Sequence, residues 1–132
     1  MKTLLTIFTL VFTVMFSSTS FGGWTQVGYS PSSQGVVTFY IDFETIRKHG
    51  GYVYWWDLLD RLKPTKQGFL SSKGYYQGDC KLFRFKILSD SYHTKPMGAG
   101  TASILSNVPD KNWHYPAPTS MHEGMLKAVC SQ

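Results

Sequence analysis

The sequence is short of the features that usually disclose a reaction. Its 132 residues hold two cysteines, eight acids and four histidines. There is no HExxH, no CxxC, no Gly-x-Ser-x-Gly and no pair of carboxylates at a catalytic spacing. Histidines 49, 93, 114 and 122 are dispersed, which excludes a metal site read from spacing. Asp57 and Asp60 are the best acid/base candidates, since burial within an aromatic strand raises a carboxyl pKa. A pair of acids in a strand is also ordinary structure or edge protection. Met97-Gly98-Ala99-Gly100 has the glycines of a phosphate loop but no strand-loop-helix unit around it, so it reads as a turn. No cofactor and no metal are expected.

Long apolar runs are also missing. The one apolar stretch, Leu4 to Phe16, is interrupted by Thr6, Thr9 and Thr13 and falls short of the about 18 to 20 residues a membrane span needs. With Lys2 before it and Ser20-Phe21-Gly22 after it, residues 1–22 read as an export signal cleaved after Gly22. No cysteine follows to accept lipid. The expected product is a mature domain of residues 23–132, periplasmic or secreted and not lipid-anchored, with no transmembrane segment.

Removing 22 residues leaves 110, enough for one core, and lowers the net charge from +5 to +4. The cations are scattered rather than clustered, which with export argues against a nucleic-acid partner. In an oxidising compartment Cys80 and Cys130, fifty residues apart, are expected to close a structural disulfide. A reactive thiol pair or a metal site lacks supporting spacing.

What is abundant is β signal and aromatic side chains. Trp24 to Tyr29 alternates, and Gly28 to Gly35 carries turn chemistry. Val36 to Asp42 is β-branched and aromatic throughout. Asp42 then caps a short helical turn over Phe43 to Lys48, before Gly50-Gly51 reverses the chain. Gly51 to Arg61 is apolar on both faces, which predicts a central strand covered on both sides. Gln67 to Tyr76 gives the next strand, with a turn at Gly78-Asp79.

From Cys80 to Leu88, residues Phe83, Phe85 and Ile87 alternate with Leu82, Arg84 and Lys86. Cys80 shares parity with the charged set. Either a bulge near Lys81 or a Cys80 placed in the preceding turn resolves this, and the sequence leaves both open. A short strand fits Thr101 to Ser106. Ser120 and Glu123 form a capping box for a helix from Met121 to Cys130, whose stripe is Met121, Met125, Leu126 and Val129. The fold class is therefore α+β, a single antiparallel sheet of five to six strands with a C-terminal helix tethered by a disulfide. Seventeen of the 110 mature residues are Phe, Trp or Tyr. They form either a ring-built core or an exposed binding face flanked by Arg and Lys.

The chain also resembles a known family. The run Phe39-Tyr40-Ile41-Asp42-Phe43-Glu44-Thr45-Ile46-Arg47-Lys48-His49-Gly50 is followed by Val53, Trp56-Asp57-Leu58, Asp60, Ser71-Ser72-Lys73, Asp79-Cys80 and Phe83-Arg84. Met97-Gly98-Ala99-Gly100, Trp113, Pro118-Thr119-Ser120 and Cys130 continue the series. In order and together they are similar to the bacterial surface-adhesin protein E family. The resemblance implies a helix tied to an antiparallel sheet by Cys80 and Cys130, a possible homodimer and no enzymatic activity. It also implies the outer membrane of a Gram-negative bacterium, with host matrix or serum proteins as partners. This chain departs from that pattern in lacking a lipid-accepting cysteine. The expected function is an exported, non-enzymatic binding protein engaging protein partners, with no binding residues assigned. The alternative is a periplasmic module holding a flat aromatic ligand such as a porphyrin. An enzyme using Asp57 or a histidine is the third reading.

Overall fold

The computed structural model describes residues 23–33 and 35–132. The expected export signal lies outside the described residues. The remaining chain folds into a seven-stranded antiparallel sheet with one helix laid across it.

Strands β1 (Trp24–Ser32) and β2 (Gly35–Asp42) form the first hairpin. β1 runs further than its Gly, Pro and Ser content suggests, because pairing with β2 continues from Trp24↔Asp42 to Ser32↔Gly35. A register shift between Gln26 and Gly28 absorbs Val27 as a bulge.

Asp42 caps the following turn as expected, its Oδ1 accepting from the Glu44 amide at 3.2 Å. The helical stretch is shorter than expected, a 3-10 turn over Phe43–Thr45. The chain then enters β3 (Arg47–His49), because pairing with β4 satisfies its backbone groups better than a second helical turn would.

Gly50 and Gly51, with φ of 59° and 83°, turn β3 into β4 (Tyr52–Arg61). These are left-handed positions that glycine occupies without steric cost. β4 is central, flanked by β2 and β3 on one side and β5 (Ser71–Asp79) on the other. Gly78 and Asp79 belong to β5 rather than to the expected turn. The reversal falls at residues 80–83, before β6 (Arg84–His93). Asp79 builds it, accepting from the amides of Lys81 and Leu82 and from Arg84 Nε at 3.0–3.2 Å. Cys80 thus precedes the strand, which settles its parity without a bulge at Lys81. Phe83, expected on an apolar strand face, sits in this turn at φ 52°. β7 (Ile104–Ser106) pairs with the end of β6.

The register divides the sheet into two faces. Ile41, Val53, Trp55, Tyr76 and Phe85 share one face and pack on Met125, Leu126 and Val129 of the helix α1 (Met121–Cys130). The predicted stripe is therefore the buried one. Ser120 caps α1, its Oγ accepting from the Glu123 amide at 3.2 Å. The return bond differs from the expected capping box, since Glu123 Oε1 accepts from Thr119 N–H rather than from Ser120. The disulfide Cys80–Cys130 joins the end of α1 to the turn between β5 and β6. Gly78 lets helix and sheet approach closely. A Cβ there would lie 2.7 Å from the Trp55 ring and 2.9 Å from Leu126.

Candidate functional site

The second face is where expectation and structure part. β4 was expected to be covered on both sides, and at one end it is. Leu58 is fully buried beneath the 3-10 turn Pro96–Gly98. The Met97 amide donates to Asp60 Oδ1 at 2.7 Å and the Gly98 amide to Ser71 Oγ at 2.8 Å. The glycine-containing segment Met97 to Gly100 is thus a structural cover, with those two amides already committed to the sheet. The other end is covered only in part, Trp113 packing against Tyr52 while Trp56 stays exposed.

That partly open end is aromatic. By register, Trp24, Tyr40, Tyr52, Tyr54, Trp56 and Tyr75 all fall on it. Trp56 packs against Tyr75 at 4.8 Å between ring centroids, and Tyr54 stacks on Tyr75 at 6.2 Å. Gln77 Nε2 donates to the Tyr54 hydroxyl at 3.1 Å. At the far side Trp113 joins Tyr52 at 5.4 Å, beside β6. The backbone pairing of His114 with Phe85 turns Trp113 onto this face.

Cations frame the rings. The Arg84 guanidinium lies 4.5 Å and the Lys86 ammonium 5.0 Å from the Trp113 ring centre, within cation–π range. Arg47 stands opposite Tyr54 in the β3–β4 pairing and is exposed. Arg84 is also paired with Asp79 at 3.0 Å. Desolvation opposes ionisation of Asp79, but the Leu82 amide, Arg84 and the Lys81 amide together hold its carboxyl below the usual range. The rings lie side by side along one surface, not on two opposed walls. That geometry suits a broad, flat contact better than a sandwiched planar ligand.

Of the candidate acids and histidines, Asp60 and His49 share this face by register and the others fall elsewhere. Asp60 is tied to Met97. Asp57 lies under the helix end of the opposite face, 1% exposed. Burial, tempered by hydrogen bonds from Tyr76 and Gly74, pushes its carboxyl up to about 7, with Asp90 adding to the rise. Its Oδ2 has neither a hydrogen-bond partner nor solvent surface. Burial raises the Tyr76 hydroxyl as well. Asp57 and His122 line the same cleft of about 190 Å³. No hydrogen bond joins them, and the His122 ring stacks on Phe85 at 4.6 Å. The cluster is a buried carboxyl that holds its proton more tightly than a free one, hydrogen-bonded to Tyr76 and Gly74.

His93 is buried against Ser91 Oγ at 2.9 Å, while His114 pairs with Asp110 and His49 is exposed on β3. The structure brings no two histidines and a carboxylate into a ligating group among the described residues. Trp56 and Tyr75, missed as site residues, were legible only as strand aromatics. The signal that places them is the i, i+2 alternation of Tyr52, Tyr54 and Trp56 combined with the pairing Trp56↔Tyr75.

Sheet, stapled helix and an aromatic second face together define a small α+β domain. The chain belongs to the surface-adhesin protein E family, whose sequence profile matches residues 24–131. Its fold is that of Haemophilus influenzae protein E. Crystal form II of that protein aligns with a TM-score of 0.58 at 14% identity over 85% of this chain and 90% of the other. The selenomethionine form aligns at 0.59 and 15% identity, over 81% and 88%. No curated protein matches the sequence. No helix among the described residues is long and apolar enough to cross a membrane.

Proposed function

We propose that residues 23–132 act, after export and loss of residues 1–22, as a non-enzymatic binding protein whose partner is another protein. The observation that carries this reading is the flat aromatic and cationic surface around Trp56, Tyr75 and Trp113. Trp, Tyr and Arg are the residues in which binding energy concentrates at protein interfaces. A folding account alone gives no reason for them here, since the core is already built on the helix side. Family membership points the same way, toward host or matrix proteins at a bacterial surface. The reading places the domain in the periplasm or outside the cell.

The test is binding of the mature, oxidised domain to immobilised extracellular-matrix and serum proteins, comparing wild type with Trp56→Ala. Trp56 is 36% exposed, so the variant should still fold. Loss of affinity by about tenfold or more is the expected result for a central interface tryptophan. Equal binding by both proteins, or recovery of the native protein from its host with no access to the exterior, would overturn the proposal.

A further inference from the structure

The charge arrangement on the same face goes one step further. It rests on the reading of that face as a docking surface. Every carboxylate that the register places there is already engaged within the chain. Asp79 is held by Arg84 and two amides, Asp60 by the Met97 amide, and Asp42 by the Glu44 amide. The cations are not balanced in the same way. Arg47 and Lys86 have no ion-pair partner among the described residues, and Lys86 is placed over Trp113 instead.

We infer that this face takes an acidic protein segment, whose carboxylates meet Arg47 and Lys86 while its side chains pack on Trp56, Tyr75 and Trp113. Three physical points support an acidic occupant. Opposite charge across an interface steers encounter and rejects partners of the wrong sign. An Arg or Lys held over a ring keeps its charge available to a carboxylate while its apolar stem and the ring shed water together. A second copy of this chain would bring the same cations to the contact, and like charges juxtaposed there are costly. A basic partner faces the same repulsion.

The probe is poly-L-glutamate, titrated onto the mature, oxidised full domain by fluorescence of its tryptophans, with poly-L-lysine and heparin as comparators. Poly-L-glutamate should bind at 50 mM salt and weaken about fivefold or more by 250 mM, as screening shortens the range of the charges. The double variant Arg47→Glu with Lys86→Glu should lose about tenfold in affinity while keeping its thermal midpoint, because both side chains reach solvent. Equal binding of poly-L-lysine, salt-independent binding, or heparin binding with none to poly-L-glutamate would each overturn the inference. The matrix-protein assay separates it from the reading beneath it. If Trp56→Ala abolishes binding there and the charge-reversed variant does not, the docking face stands and its acidic occupant is refuted.

Discussion

Replacing Asp57 by Asn should change the sign of this protein's response to alkali. Its carboxyl is buried beneath the helix end, with Tyr76 and Gly74 as hydrogen-bond donors and Asp90 nearby as an unfavourable charge. Folding moves its pKa from 3.8 to about 7. A carboxyl raised on folding contributes stability that is complete below 3.8 and disappears as pH rises through about 7. The gap of roughly three units corresponds to about 4 kcal/mol, since each unit is worth about 1.4. That loss is a large part of the about 5 to 15 kcal/mol that holds a domain together.

Two other groups run in the opposite direction. The Asp79 carboxyl is lowered in the folded state, and burial with His114 nearby lowers His122. Each contributes stability above its unfolded pKa and loses it as pH falls through its folded value. The difference between wild type and variant isolates Asp57 from both. Urea unfolding of each at pH 4 to 8 should show Asp57→Asn gaining on wild type by roughly 1.4 kcal/mol per unit until about pH 7, then levelling. A difference that does not vary with pH, or a carboxyl carbon resonance of Asp57 that titrates below pH 5, would refute the burial argument.

Reducing Cys80–Cys130 opens a loop of 50 residues, and on the chain-entropy account the oxidised domain should exceed the Cys80→Ser, Cys130→Ser double variant by about 4 kcal/mol in urea unfolding. Equal midpoints would mean that the staple does not stabilise the fold. Gly78→Ala should cost about 1 to 3 kcal/mol, because the added methyl meets Trp55 and Leu126 at under 3 Å. Its near-ultraviolet circular dichroism should change at Trp55 while Trp56 fluorescence holds. An unperturbed thermal midpoint would show that helix and sheet can part without penalty.

Local chemistry made several elements legible in the sequence. Ser120 and Glu123 mark the start of α1, and the spacing of Met121, Met125, Leu126 and Val129 marks its buried face. The β-branched run of β2 and the glycines before β4 work in the same way. Propensity, capping and turn geometry act within a few residues, so they are written in a few residues. The limits of elements were less readable. The 3-10 turn stops at Thr45 because β3 finds a partner in β4, and β5 continues through Asp79 because β6 pairs with it. Pairing is a property of two segments distant in the chain.

The candidate site lies wholly on that second level. Alternation put Tyr52, Tyr54 and Trp56 on one side of β4, and the same alternation in Val53, Trp55 and Asp57 looked equally ready for burial. Only the helix decides between them. α1 is tied by Cys130 to the turn at Cys80, and it covers Val53 and Trp55. The Pro96–Gly98 turn lies at the Leu58 end of β4 and leaves Trp56 exposed and Tyr54 half-buried. The sequence by itself determined a disulfide-tethered sheet and helix, rich in rings. Which rings became core and which became surface was settled by where one helix and one loop came to rest, because burial depends on what arrives from elsewhere in the chain.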